Sequence, residues 1–136
     1  MVTINKNGRD KIKEQLYRVG LRLNRLVKQK LTENGTVSSG VLRNSYEVNV
    51  SDDFKVSVGS PLEYARYVEF GTGPRDKYPP KDAIKDWVKR ELNPENLESA
   101  TWAVMNKIKE EGTDPQPHLR PAIDQLRNEL RSGKTF

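Results

Sequence analysis

The chain has 136 residues and a formal net charge of +5, the size of one domain with a single core. It has no cysteine, which excludes disulfides and thiolate metal sites, and no signal-like apolar run or membrane-length stretch, so a soluble protein made in the cytoplasm is expected. Only 34% of the residues are apolar and 32% are charged, which is lean for a self-sufficient core; the regular interleaving of apolar and polar positions favours a thin fold that finishes its burial against a neighbouring subunit over a chain that is partly extended when isolated.

Residues 8–32 predict a long helix, because Ile12, Leu16, Val19, Leu23, Leu26, Val27 and Leu31 recur at three- and four-residue steps. Gly20 falls inside it and weakens it by about 1 kcal/mol relative to alanine, and Asn34-Gly35 should end it. Between Lys6 and Lys30, nine basic residues stand against Asp10 and Glu14 alone. That asymmetry fits the solvated face of an amphipathic helix, the reading favoured here, or else a surface for nucleic acid or an acidic partner. Residues 35–44 are polar and rich in Gly and Ser, and predict an exposed, mobile loop.

Residues 44–59 predict a β-hairpin. Tyr46, Val48 and Val50 alternate with polar residues, as do Phe54, Val56 and Val58 beyond the Asp52-Asp53 turn. One face is apolar, so the sheet should be covered on one side, with the first helix as the cover. The stretch from Tyr64 reads either as a short helix or as an alternating strand; Gly71, a natural residue just past a helix end, favours the helix. Residues 71–80 form a Gly/Pro-rich loop, also expected to be mobile.

Three helical patterns follow. Ala83, Ile84, Trp87, Val88 and Leu92 share a face that Asn93-Pro94 ends. Leu97, Ala100, Thr101, Val104, Met105 and Ile108 share another, ended by Gly112. Leu119, Ala122, Ile123, Leu126 and Leu130 share the third, ended by Ser132-Gly133, with Pro121 in the first turn where its missing N–H costs nothing. Trp87 and Trp102 lie on these apolar faces and are expected in the core, the alternative being an interface anchor. The tail 133–136 should fray. The fold class is therefore α+β: a single domain with a long N-terminal helix on a small antiparallel sheet, then three or four shorter helices.

No catalytic constellation is evident. His118 is the only histidine and lacks the companions of a metal site, so it is expected to pack at a helix start. Gly71-Thr72-Gly73 is followed by Pro74-Arg75 and lacks the Gly-Lys-Ser/Thr end of a phosphate loop. No serine sits in a nucleophile elbow. A non-enzyme without metal or cofactor is the reading. Glu69 lies among aromatics, where an unpaired buried charge is costly; it is either exposed or paired with Arg66, Arg120 or an arginine of an adjacent subunit.

Two blocks carry a family resemblance. Tyr64-Ala-Arg-Tyr-Val-Glu-Phe-Gly-Thr-Gly-Pro74 and, further on, Pro115-Gln-Pro-His-Leu-Arg-Pro-Ala122 are similar to blocks of the head–tail joining, or tail-completion, family of long-tailed bacteriophages, in the same order. Outside the blocks the match is one of pattern. The resemblance implies a structural virion protein of the neck, a ring of sixfold symmetry that completes the tail or joins the head connector to the tail tube around the DNA channel. Its partners would be further copies of itself, the connector and the tail-terminator or tail-tube proteins, with no membrane. It implies packing or interface roles for Tyr64, Tyr67, Glu69, Phe70, Gly71, Thr72, Pro117, Leu119, Arg120 and Pro121. Arg18, Arg22, Arg25 and Lys28 on the basic helix would then be candidates to face the channel and meet DNA phosphate without reading sequence. A small basic nucleic-acid-binding module is the alternative.

Overall fold

A computed structural model describes residues 6–35 and 40–136, with side chains from residue 8 onward. The first helix, α1 (Lys6–Glu33), runs 28 residues and ends where Gly35 takes a left-handed φ of 68°. The mobile loop expected over 35–44 falls partly on residues 36–39, which lie outside the described residues. Its second half is a correction: α2 (Val41–Ser45) is a helical turn entered from Gly40 at φ 74°, and it buries Leu42 in the core. A short, polar segment with one apolar anchor gives no periodicity from which such a turn can be read.

Strands β1 (Glu47–Val50) and β2 (Val56–Gly59) form an antiparallel two-stranded sheet with Val48 opposite Val58 and Val50 opposite Val56. These valines point to α1, while Glu47, Asn49 and Ser57 face outward and are exposed. The helix lies along the strands. Lys13 pairs with Asp52 at the hairpin turn, Gly20 sits over Val48 and Val56, and Asn24 Nδ2 donates to the Tyr46 carbonyl at the other end. Gly20 is the reason the approach is so close. A Cβ there would stand 2.4 Å from Val48 Cγ1 and 2.8 Å from Val56 Cγ2, so the residue that weakens the helix by propensity lets it meet the sheet.

Four helices follow the sheet: α3 (Ala65–Phe70), α4 (Lys81–Glu91), α5 (Leu97–Glu111) and α6 (Leu119–Arg131). Each stops for a local reason. Gly71 and Gly112 take positive φ after α3 and α5, as do Asn93 after α4 and Gly133 just past α6. Asn96 caps the start of α5 by accepting from the Ser99 N–H at 3.0 Å.

The main core holds Leu26, Val27 and Leu31 of α1 with Leu42, Tyr46, Ala65, Ala122 and Leu126. Helix α6 packs on α1 and is tied to it by a two-pronged pair, Arg22 Nε and Nη2 each 2.8 Å from an oxygen of Glu129. Helices α4 and α5 pack chiefly on each other, burying Val88, Thr101 and Met105. The tail expected to fray instead returns Phe136 against the core beside α1. Both tryptophans also depart from the core expectation: Trp87 is 43% and Trp102 39% exposed. Their positions flank the α4–α5 contact, and a hairpin of two helices has nothing to cover its flanks.

Candidate functional site

The two sequence blocks meet at the start of α6. This helix has no capping side chain of its own, because His118 at its N-cap makes none. Its orphan N–H groups are taken instead by Glu69, from the last turn of α3. Glu69 Oε2 accepts from the N–H groups of His118 (2.7 Å) and Leu119 (2.9 Å), and Oε1 from the N–H of Arg120 (3.0 Å). Pro121 has no N–H to satisfy, and the Ala122 N–H reaches the His118 carbonyl at 3.4 Å. The N-terminal donors are thereby accounted for by one carboxylate from another helix, placed where the helix dipole favours negative charge.

Glu69 is only 1% exposed. Burial works against its charge, but the N–H groups of His118, Leu119 and Arg120 outweigh burial and hold the carboxyl below its usual range. Arg120 adds its Nε at 3.2 Å from Oε1 and its Nη2 at 3.3 Å from the Glu69 carbonyl. Of the arginines open to Glu69 in the sequence, Arg120 is the one it meets, while Arg66 turns to Tyr67 Oη at 3.0 Å.

His118 is fully enclosed. Its Nδ1 lies 3.1 Å from both the Gln116 carbonyl and Glu69 Oε2, two acceptors, so Nδ1 carries a proton. The Tyr46 hydroxyl meets Nε2, and the rings stand edge to face at 5.5 Å. Burial, and secondarily the Glu69 charge, push the Tyr46 hydroxyl pKa up to about 12. The chain Tyr46–His118–Glu69 thus links the junction of α2 and β1, the N-cap of α6 and α3. It is closed to solvent and reads as a structural lock.

Below it the connection continues through backbone. Thr72 and Thr113 exchange both N–H···O bonds, at 3.0 and 2.8 Å, and the Gln116 N–H donates to the Val68 carbonyl at 2.8 Å. Glycine is required on both sides of this bridge. At Gly71 (φ 69°) a Cβ would lie 2.6 Å from the Thr113 carbonyl oxygen, and at Gly112 (φ 77°) 2.0 Å from that of Thr72.

The remaining residues of the blocks divide by exposure. Tyr64, Val68 and Leu119 pack against the core. Pro117 is exposed, and its carbonyl accepts from Asn34 Nδ2 at 2.9 Å. Phe70, for which the resemblance implies a packing or interface role, is 63% exposed, with the Arg120 guanidinium 5.0 Å from its ring centroid. Buried Ala65 and Glu69 with core-packed Val68 define the inner face of this short helix, and Phe70 falls outside it.

On the basic helix, the four candidates for a DNA-facing row are not equivalent. Arg22 is held by Glu129, and this hydrogen-bonded pair brings the Glu129 carboxyl down to about 2. Arg18 pairs with Glu14 at 2.7 Å on the surface. Arg25 and Lys28 form no ion pair among the described residues. The Glu129 partnership had a sequence signal that the reading above passed over: a carboxylate at i+3 from Leu126, on the buried side of α6.

Among the described residues, no group of His, Asp or Glu is arranged to hold a metal ion, and no helix is long and apolar enough to cross a membrane. The family model described as "Bacteriophage HK97-gp10, putative tail-component" matches residues 2–71. No curated protein and no solved structure matches the chain.

Proposed function

Since this chain belongs to the HK97-gp10-like family of bacteriophage tail components, we propose that it is a ring-forming structural protein of the phage neck. In this reading it completes the tail, or joins the head connector to the tail tube, around the channel through which DNA leaves. The observation that carries the reading is the family match over α1, the sheet and α3. Two structural features support it. The core is small for the chain, and large apolar side chains remain outside it, Phe70, Trp87, Leu92 and Trp102 among them. The aromatic ones among them, Phe and Trp, are of the types enriched at protein interfaces. Heterologous contact between unlike faces of successive copies would close a ring, and sixfold symmetry is the closure proposed.

The protein would act by shape and contact rather than by catalysis. Its one histidine is sealed in the lock at the start of α6. Contact with packaged DNA, if it runs through α1, would rest on Arg25 and Lys28, since Arg18 and Arg22 already have carboxylate partners. The test is a phage lacking this chain. Micrographs should show filled heads and separate tails; joined, infectious particles at normal yield would overturn the reading.

A further inference from the structure

The aromatic side chains of α3, the following loop and α5 form one strip with cations interleaved. At one end the Arg120 guanidinium stacks on exposed Phe70, 5.0 Å from its centroid. One turn back along α3, the Tyr67 ring has two guanidiniums, Arg66 and Arg75, each 4.9 Å away. The Arg75 N–H then donates to the Lys109 carbonyl at 3.0 Å, and Lys109 Nζ lies 4.5 Å from the Tyr78 ring. Tyr78 meets Trp102 edge to face at 5.3 Å, and Lys81 closes the row 5.1 Å from the Trp102 ring. Phe70, Tyr78 and Trp102 are all substantially exposed.

Arg66, Arg75 and Lys109 have no ion-pair partner among the described residues, whereas Lys81 has Glu98 and Arg120 has Glu69. Cation–π contact fixes the guanidiniums without neutralising them. Three cations are therefore held in place on an aromatic backing, and the planar forks of the two guanidiniums, Arg66 and Arg75, suit two-pronged carboxylate recognition. The ring faces are already in use, so bases of a single strand find few platforms on which to stack. Glu98 is tied up by Lys81 and Lys85, so the unpaired cations are separate points rather than a continuous basic track along which a phosphate backbone would run. The pattern of discrete unpaired cations, Tyr, Trp and Phe fits the hot-spot chemistry of a protein interface.

We propose that this strip is the docking surface for a different virion protein that presents a row of Asp and Glu side chains. The proposal rests on the neck reading and adds to it the chemistry of one partner.

The experiment uses whole phage particles. A photo-reactive phenylalanine analogue is placed at Phe70 or at Tyr78, and particles are irradiated. The expected product is a crosslink to another virion protein within a segment carrying several carboxylates. Arg66→Glu with Arg75→Glu should reduce infectious particles at least about tenfold, the factor expected if docking weakens by about one decade. Lysines replacing the mapped carboxylates should restore the yield. Circular dichroism and the thermal midpoint of the purified double variant should match the parent, since both side chains lie outside the core. Crosslinks to DNA or to another copy of this chain, no crosslink from either position, or normal yield of the double variant would overturn the proposal. The two readings separate cleanly: absence of the chain from purified particles sinks the neck assignment and this docking surface with it, whereas a chain present in particles but unlinked through the strip sinks the docking surface alone.

Discussion

Glu69 shows how much a single side chain can organise. It satisfies three backbone donors of α6, carries a guanidinium on its solvent side and touches the histidine that meets Tyr46. Replacing it by alanine leaves those N–H groups buried without an acceptor and removes the charge facing the helix dipole. A loss of about 1–3 kcal/mol for each donor left buried and unsatisfied is expected, read from the denaturant midpoint of the purified protein; the Arg120 guanidinium, 56% exposed, adds little because it returns to water. Phe70→Ala, one residue along, should cost far less, because most of that ring is already in water. If the two variants unfolded at the same midpoint, the distinction between the buried lock and its exposed neighbour would be wrong.

At the level of elements, Gly20 decides how α1 meets the hairpin. Gly20→Ala gains about 1 kcal/mol of helix propensity but drives a methyl into Val48 and Val56, and overpacking of this kind costs about 1–3 kcal/mol. Net destabilisation is expected in thermal melts, relieved when Val48→Ala is added; a stabilised single variant would refute the close approach. The same glycine marks the boundary of what a sequence reveals. Periodicity located α1, the hairpin and all three C-terminal helices, and glycine or asparagine located most of their ends, because both signals are local. The fold class, a long helix on a small antiparallel sheet with further helices, was legible for that reason. What a stripe faces is not local. The apolar faces of α4 and α5 identified Trp87 and Trp102 but could not show that these two, with Leu92, stay exposed while Val88, Thr101 and Met105 are buried. Glu69 lies 49 residues from the nearest N–H group it caps, so no window of sequence contains both. Helix α2 escaped notice because a single turn with one buried leucine has no period.

Over the whole molecule, the two buried carboxylates make stability depend on acid. Glu69 and Glu129 both have folded pKa values below the ordinary 4.5, Glu129 at about 2. A depressed carboxyl contributes stability that is fully present above the unfolded value and is lost as pH falls through the folded one. Thermal midpoints should therefore fall between pH 4.5 and about 2, and Glu129→Gln should flatten part of that slope. A midpoint constant across this window would show that neither carboxylate is held as described.

The Thr72–Thr113 bridge has a further consequence. It fastens together the two ends of the excursion that carries α4 and α5, and the family match stops at residue 71, where that excursion begins. Chain leaving and re-entering at one clasp forms a detachable module: its length can change without altering the distance its ends must span. Doubling such a loop adds only about 0.6 kcal/mol of closure entropy. Insertions at the 92–95 connection, at the far end of the helical pair, should accordingly be tolerated by the fold, which gives the scaffold a place to acquire new attachment surfaces by growth rather than by repacking.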